Sequence, residues 1–156
     1  MKLSAKASFN GVKKVLFVCT GNTCRSVMAE GIFNKITGGN HAESAGMAAN
    51  PLYNIFGSLA AIMDEEEIPY ANHVSTPVSA ELLKEADIVL AMEAEHLDYL
   101  KKNFPTYTSK VFLLTEFADE EGDIRDPIGQ PETEYRKTFA RIEELVKKVV
   151  RKLELT

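Results

Sequence analysis

A run of apolar residues followed at once by a short polar loop and an amphipathic segment constrains this chain most. Residues 15–18 read Val-Leu-Phe-Val, which is typical of a strand buried on both faces of a parallel sheet. From Ser26 onward, apolar residues recur at the three-and-four spacing of a helix: Met28, Ile32, Phe33 and Ile36. The sequence therefore predicts a strand ending at Cys19, a tight loop, and a helix whose N-terminus faces back over that loop.

The loop itself has the composition of an anion-binding site. Residues 19–26 read C-T-G-N-T-C-R-S, and Gly21 and Asn22 tolerate the left-handed backbone that a tight curl requires. Inward-facing amides, the helix N-terminus and the Arg25 guanidinium together favour a phosphate, and the same positive field favours the thiolate of Cys19. The C-x5-R spacing alone fits a buried cysteine and an ordinary arginine equally well, but the flanking strand and helix favour a catalytic interpretation.

This segment resembles the signature of the low-molecular-weight protein-tyrosine phosphatase family, and the resemblance extends over nearly the whole chain. It implies that Cys19 is the nucleophile and that Arg25 holds the phosphoryl oxygens. The phosphate-binding loop would consist of Thr20, Gly21, Asn22, Thr23, Cys24, Arg25 and Ser26.

A second polar segment, residues 115–132, follows the fourth predicted strand and therefore leaves the sheet from the same edge as Cys19. Within it, Pro127 restricts the backbone of Asp126 and fixes how its carboxyl group is presented. Asp-Pro is also a common turn, but here it resembles the D-P signature of the family, which implies that Asp126 is the general acid. The other acidic residues of this segment are expected to form a solvated face: Asp119, Glu120, Glu121 and Asp123.

By the same resemblance, four residues match positions in the family whose side chains form hydrogen bonds that support the phosphate loop: Asn22, Ser26, Ser44 and His73. The Ser26 hydroxyl would also stabilise the Cys19 thiolate. Simpler interpretations remain for three of them, with Ser26 as a helix cap, Ser44 as part of a strand-end turn, and His73 as an ordinary loop histidine.

The remaining residues with distinctive chemistry are two histidines and the second cysteine. His41 and His96 are assigned no functional role. Cys24 is placed to convert an oxidised Cys19 into a reversible disulfide, or it packs beneath the loop.

The substrate prediction rests on Thr23 and on the expected rim of the site. Tyrosine-directed members usually carry an aliphatic residue at the position of Thr23, whereas the bacterial protein-arginine phosphatase branch resembles this chain in having threonine. The rim, at residues 47–50 and at Ile128, lacks the aromatic residues of tyrosine-directed members. Phosphoarginine in proteins is therefore the predicted substrate, with Thr23 and Ile128 as specificity residues.

Three alternatives remain at the level of sequence. A tyrosine phosphatase would use the same catalytic groups with a different rim. An arsenate reductase on this fold would need a further cysteine beyond Cys24. A binding module without turnover is disfavoured by the presence of Cys19, Arg25 and Asp126 together.

The rest of the chain alternates strands and helices. Strands are predicted at residues 41–45, 87–92 and 111–114, and helices at 52–67, 79–86 with Ser79 as N-cap, 93–104, and from Glu132 onward. This order predicts a single α/β domain at residues 12–156, built on a doubly wound four-stranded parallel sheet, after a short tail at residues 1–11.

Composition limits the partners. A formal net charge of −5 disfavours nucleic acid and anionic membranes, so the expected partners are phosphorylated proteins. Two cysteines in one loop suit reduced thiols in the cytoplasm better than a secreted disulfide scaffold. No signal peptide, membrane span or histidine-cysteine cluster is apparent, so neither a metal nor another cofactor is expected, and the sequence leaves the oligomeric state open.

Overall fold

A four-stranded parallel sheet lies at the centre of the molecule. The computed structural model describes residues 11–55 and 57–153. Its strands lie in the order β2-β1-β3-β4 and comprise β1 (Val15–Cys19), β2 (Ala42–Gly46), β3 (Ile88–Ala91) and β4 (Val111–Leu113). Because β1 pairs with β2 on one side and with β3 on the other, the order of connection reverses at β1. The carboxyl end of β1 is therefore the switch point at which such sheets bind ligands.

Helices cover both faces of this sheet. They are α1 (Arg25–Thr37), α2 (Gly57–Glu65), α3 (Ala80–Glu85), α4 (Ala94–Asn103), a 3₁₀ helix (Pro105–Lys110), α5 (Leu114–Phe117) and α6 (Glu132–Leu153). Val15 and Phe17 of β1 pack in the core layer that contains α1 and α6. Leu16 and Val18 pack in the opposite layer with residues of α3 and α4. The predicted doubly wound α/β architecture is confirmed.

Most predicted boundaries are confirmed to within a residue or two. Helix α1 ends at Thr37, and its C-cap, Gly38, has a left-handed backbone with φ of 71°. The Ser79 side chain accepts a hydrogen bond of 3.2 Å from the Leu82 N–H at the start of α3. Helix α6 begins at Glu132 and buries an apolar stripe that includes Phe139.

The predicted start of the second helix is wrong. Residues 51–55 form a turn and irregular backbone, and α2 begins only at Gly57. The reason lies in Asn50, whose side-chain oxygen accepts from the Leu52 N–H at 2.9 Å and whose carbonyl accepts from the Tyr53 N–H at 2.9 Å. This local turn competes with a helix, and it leaves the Leu52 side chain 84% exposed.

The 3₁₀ helix and α5 were not predicted, since both are shorter than two turns of α-helix and carry little periodic pattern. Of the predicted tail at residues 1–11, only Gly11 lies within the described residues. None of the helices described is long and apolar enough to cross a membrane.

Candidate active site

Cys19 is the last residue of β1, and its side chain is 2% exposed. Its loop continues from the switch point and packs directly on the chain that follows β2. The Cys19 carbonyl accepts from the Met47 N–H, and the Thr20 carbonyl accepts from the Ala48 N–H, each at 2.9 Å. A Cβ atom at Gly46 would lie 2.5 Å from the Thr20 carbonyl oxygen and 2.9 Å from the Asn22 nitrogen. Glycine at this position is therefore required for the observed approach of loop and strand.

Asn22 holds the loop in its curled shape. Its backbone is left-handed, with φ of 56°, and its side chain is fully buried. Its carbonyl accepts from His73 Nε2 at 2.8 Å and from the Ser75 hydroxyl at 3.1 Å, so the proton of His73 lies on Nε2. These bonds offset the strain of a non-glycine residue in this conformation.

The hydrogen bonds around Asn22 also determine which group donates to Cys19. The Thr76 N–H donates to Asn22 Oδ1 at 2.9 Å, which fixes the orientation of the amide. Asn22 Nδ2 therefore donates to Ser26 Oγ at 2.8 Å. The Ser26 hydroxyl proton is then directed to Cys19 Sγ, 2.9 Å away. This chain of donors places one hydrogen bond on the sulfur, and such a bond stabilises a thiolate.

The Arg25 guanidinium is 2% exposed and is clamped from several sides. Its Nη1 donates to the Glu93 carboxylate and, at 2.8 Å, to the Ile124 carbonyl. Its Nη2 lies 3.4 Å from Thr20 Oγ1 and 3.5 Å from Asp126 Oδ2. These contacts hold the guanidinium in a fixed plane.

Asp126 reaches this site from the loop between α5 and α6. Its Oδ1 accepts from the Ile128 N–H at 3.0 Å, and its side chain is 36% exposed. The Gln130 N–H donates to the Pro127 carbonyl at 2.9 Å, and Gly129 has φ of 80°, as a type II turn requires. The sequence prediction that Asp126 meets the Cys19 loop across one edge of the sheet agrees with this placement.

The two proposed specificity positions are accessible to solvent. Thr23 is partly exposed in the middle of the loop, and the Ile128 side chain is 59% exposed at the rim. Tyr135 lies in the first turn of α6, where it packs against the core, and partial burial raises its pKa.

Cys24 is 5% exposed, and both cysteines are free thiols. Burial raises the pKa of Cys24 strongly; the negative charges at Cys19 and Asp126 raise it further, while Arg25 lowers it. Cys24 is thus a protonated thiol at neutral pH, packed in the core beneath the loop.

Ser44 departs from the expected pattern. Its hydroxyl donates to the Glu30 carboxylate of α1 rather than to an atom of the phosphate loop. Burial raises the pKa of Glu30, against opposing contributions from Ser44 and His73. Ser44 therefore joins β2 to α1 and does not contact the loop directly.

Three of the acidic residues expected on a solvated face have partners, and one of these is the exposed Asp119, whose Oδ1 lies 3.6 Å from Lys152 Nζ. The contacts of the other two, Glu120 and Asp123, are structural. Glu120 accepts from Arg141 Nη1 at 2.5 Å and from Lys148, which ties its loop to α6. Asp123 Oδ1 accepts from the Ala94 N–H at 2.9 Å at the start of α4. Both contacts help to hold the segment that carries Asp126.

Sequence reasoning missed Glu93 and His96. Glu93 lies just beyond β3, at the same edge as Cys19, and its carboxylate pairs with Arg25. The fully buried His96 ring contacts Thr20 Oγ1 through Nε2 at 2.8 Å. Their positions in the sequence could have indicated a role, because polar residues that follow neighbouring parallel strands converge at one edge of the sheet. The two residues also have the i,i+3 spacing of a capping box.

Comparisons with known proteins agree with this geometry. The family model described as low molecular weight phosphotyrosine protein phosphatase matches residues 14–156. A protein-arginine phosphatase of Bacillus subtilis is 39% identical over 144 residues, covering 89% of this chain and 95% of the relative. A low molecular weight protein-tyrosine phosphatase of Staphylococcus aureus is 31% identical over 136 residues, covering 87% and 96%.

One solved structure is a mutant YwlE arginine phosphatase with a phosphorylated active-site serine. It superposes with a TM-score of 0.85 at 37% identity, covering 90% of this chain and 95% of that one. The sheet order, the loop at the switch point and these similarities lead to one conclusion. This chain belongs to the low molecular weight phosphotyrosine protein phosphatase family.

Proposed function

We propose that this protein hydrolyses phosphoarginine residues of proteins through a covalent cysteinyl-phosphate intermediate. The observation that carries the proposal is the directed hydrogen bond from Ser26 to Cys19 Sγ at 2.9 Å, opposite a carboxylate, Asp126, that lies beside Arg25. A nucleophile, a cationic fork and an acid then surround one small volume at the switch point. Phosphoryl transfer requires this combination of positioning and charge stabilisation.

In the first step, the Cys19 thiolate attacks phosphorus while the loop amides and Arg25 hold the equatorial oxygens. Both hydrogens of Arg25 Nη1 are used by Glu93 and Ile124, and one hydrogen of Nη2 points to Thr20 Oγ1. Nε and the second hydrogen of Nη2 are therefore the donors for the phosphoryl oxygens. As the bond from phosphorus to the leaving nitrogen breaks, Asp126 donates its proton to that nitrogen. The free arginine side chain leaves, and phosphate remains on sulfur.

In the second step, the Asp126 carboxylate accepts a proton from a water molecule that attacks phosphorus. The bond between sulfur and phosphorus breaks, inorganic phosphate forms, and the Ser26 hydroxyl again stabilises the Cys19 thiolate. The phosphorylated serine of the YwlE mutant supports a phosphoenzyme at the equivalent step. Because the nucleophile must be a reduced thiol, a reducing compartment such as the cytoplasm suits this chemistry.

The choice of arginine rests on Thr23 and on the Bacillus subtilis relative, which is named a protein-arginine phosphatase. We infer that the Thr23 hydroxyl favours a polar guanidinium over a phenyl ring. The second candidate substrate is phosphotyrosine, which is supported by the Staphylococcus aureus relative, named a protein-tyrosine phosphatase.

Side-by-side kinetics on phosphoarginine and phosphotyrosine peptides test the substrate. We expect the wild type to prefer phosphoarginine, and Thr23→Ile to move the ratio of kcat/KM toward phosphotyrosine by at least about tenfold, a typical effect of one pocket group. Thr23→Ser should keep the preference, whereas Thr23→Val, which has the same shape without the hydroxyl, should lose part of it.

Two results together would reject arginine as the substrate while leaving the phosphatase assignment intact. They are a wild type at least as active on phosphotyrosine, and a Thr23→Ile variant with an unchanged ratio. Absence of turnover on both peptides and on p-nitrophenyl phosphate would reject the enzyme itself.

A further inference from the structure

The hydrogen bonds of His96 determine the position of its proton. The ring is fully buried, and its Nδ1 lies 3.1 Å from the Glu93 N–H, a group that can only donate. Nδ1 must therefore be the acceptor, and the neutral ring carries its proton on Nε2. The Nε2–H then donates to Thr20 Oγ1 at 2.8 Å.

The Thr20 hydroxyl links this histidine to the phosphate loop. Thr20 follows Cys19 directly, and its Oγ1 lies 3.4 Å from Arg25 Nη2. Because the Glu93 carboxylate accepts from Arg25 Nη1, the contacts close into a ring of four residues: Arg25, Glu93, His96 and Thr20. One nitrogen of the guanidinium is held by Glu93, and the other lies against a hydroxyl whose orientation His96 fixes.

We propose that His96 is a positioning residue that, through Thr20, helps to set the plane of the Arg25 guanidinium against the phosphoryl group. A planar fork binds two oxygens only when it lies in their plane, so a rotated guanidinium loses the bidentate contact. His96 does not touch the substrate, and the inference rests on the proposed phosphatase function. It adds a buried residue of α4 to the groups on which turnover depends.

A competing explanation is that His96 only stabilises α4. Its backbone N–H and its ring both take part in a capping box with Glu93, and caps are important for helix stability. The two ring nitrogens allow the roles to be separated, because Nδ1 serves the cap while Nε2 serves Thr20.

The test uses two substitutions at His96. His96→Asn places an oxygen near the position of Nδ1, so it keeps the acceptor for the cap but is too short to reach Thr20. His96→Gln reaches Thr20 with its amide nitrogen but loses the acceptor for the cap. If His96 acts through Thr20, kcat/KM for p-nitrophenyl phosphate should fall about tenfold in His96→Asn, the usual order for one lost hydrogen bond. His96→Gln should retain more activity despite a lower melting temperature.

Thr20→Val completes the experiment, because it removes the hydroxyl at nearly constant shape. We expect it to lower kcat/KM about as much as His96→Asn does. The double variant should have a kcat/KM no lower than that of the less active single variant. His41→Asn is the matched control, since His41 Nδ1 contacts the Lys13 carbonyl far from the loop. It should leave kcat/KM unchanged.

Activity in His96→Asn within twofold of wild type would overturn the inference, as would losses that multiply in the double variant. Turnover by the wild type reports separately on the proposed function. Should the wild type prove inactive, inorganic phosphate still decides the inference. A rise in melting temperature with phosphate that is retained in His96→Asn would overturn it, and a rise lost in that variant would support it.

Discussion

At the scale of single residues, the proposed nucleophile and the proposed acid differ in their access to water. Cys19 is 2% exposed beneath its loop, whereas the Asp126 side chain is 36% exposed at the rim. A shielded thiolate keeps its nucleophilicity for phosphorus. An acid that must protonate a leaving group and then meet a water molecule needs the open position. The geometry therefore suits two separable roles.

Substitution of each group should show this separation. Cys19→Ser should abolish turnover, because an alkoxide cannot form at neutral pH where a thiolate can. Asp126→Ala should still bind phosphate and keep a slow rate that depends on Cys19, since only proton transfer is lost, an effect typically of about 10²–10⁴-fold. Single-turnover kinetics and phosphate inhibition measure both. Complete loss of phosphate binding in both variants would contradict these roles.

The two cysteines also differ in their expected reactivity toward oxidants. Cys19 Sγ lies 2.9 Å from the Ser26 hydroxyl, whereas burial holds the pKa of Cys24 well above its ordinary range. Peroxide should therefore oxidise Cys19 first, and Cys24 should then form the disulfide slowly, and faster as the pH rises, because attack needs the Cys24 thiolate. Mass spectrometry after peroxide treatment at pH 7 and pH 9 measures this. Sulfinic acid at Cys19 without any Cys19–Cys24 linkage, at both pH values, would refute the prediction.

At the scale of elements, the position of the phosphate loop depends on the end of β2. A methyl group on Gly46 would collide with three backbone atoms, in Thr20, Gly21 and Asn22, at 2.5–3.1 Å. Backbone cannot swing aside as a long side chain can, so the loop as a whole would have to shift. The carboxyl end of β2 thus determines where the loop that follows Cys19 can lie.

Gly46→Ala tests this dependence. We expect kcat/KM for p-nitrophenyl phosphate to fall by at least about a hundredfold, the usual result of misplacing reacting groups by an ångström. Gly38→Ala is the control, because Gly38 has φ of 71° and no atom within 4 Å of an added Cβ. It should cost about 1 kcal/mol of unfolding free energy through backbone strain and leave turnover unchanged. Equal kcat/KM in the two variants would refute the role of Gly46.

The sequence predicted the elements that carry strong periodic or apolar patterns, and it placed Cys19, Arg25 and Asp126 at one edge of the sheet. It failed where a local side chain decides the outcome. The Asn50 turn delays α2, and no periodic pattern reports such a competition. His96 was overlooked because a lone histidine carries no motif, and its contact with Thr20 spans 76 positions in the chain. Contacts of this kind depend on how the strands and helices are arranged in space. Sequence patterns predict that arrangement only approximately and do not predict individual side-chain contacts.

At the scale of the whole molecule, the loop that carries Asp126 connects both faces of the sheet. Glu120 binds Arg141 of α6 on one face, while Asp123 accepts from the N-terminus of α4 on the other. The Ile124 N–H donates to the Met92 carbonyl at 2.9 Å beyond the end of β3, and its own carbonyl accepts from Arg25. Global stability and the position of the acid therefore depend on the same contacts.

His96 links this architecture to pH. Burial, and next the nearby Arg25, lower the pKa of His96 to about 4, while Glu93, Asp123 and Asp126 oppose the shift. Between pH 6.5 and 4 the unfolded chain binds a proton at this residue that the folded chain excludes. The stability contribution is thus fully present above pH 6.5 and is lost as the pH falls toward 4. Protonation would also set a ring N–H against the Glu93 N–H, which disrupts the ring of contacts with Thr20 and Arg25.

As the pH falls from 7 to 4.5, the lowered pKa of His96 should reduce the free energy of unfolding of the wild type by about 2 kcal/mol, as expected for a pKa shift of this size. Other carboxyl groups also change the free energy of unfolding over this pH range. Glu30, whose pKa is raised, has the opposite effect to His96. Glu65 and Glu120, whose pKa values are lowered, affect stability mainly below the ordinary pKa of glutamate. The quantity to measure is therefore the difference between wild type and His96→Gln in urea unfolding at the two pH values. That difference should shrink by about 2 kcal/mol at pH 4.5, whereas Ser79→Ala, which removes a distant helix cap, should differ from wild type equally at both. A His96→Gln difference that is independent of pH would show that His96 carries the same charge in the folded and unfolded states, and would remove the basis for this dependence.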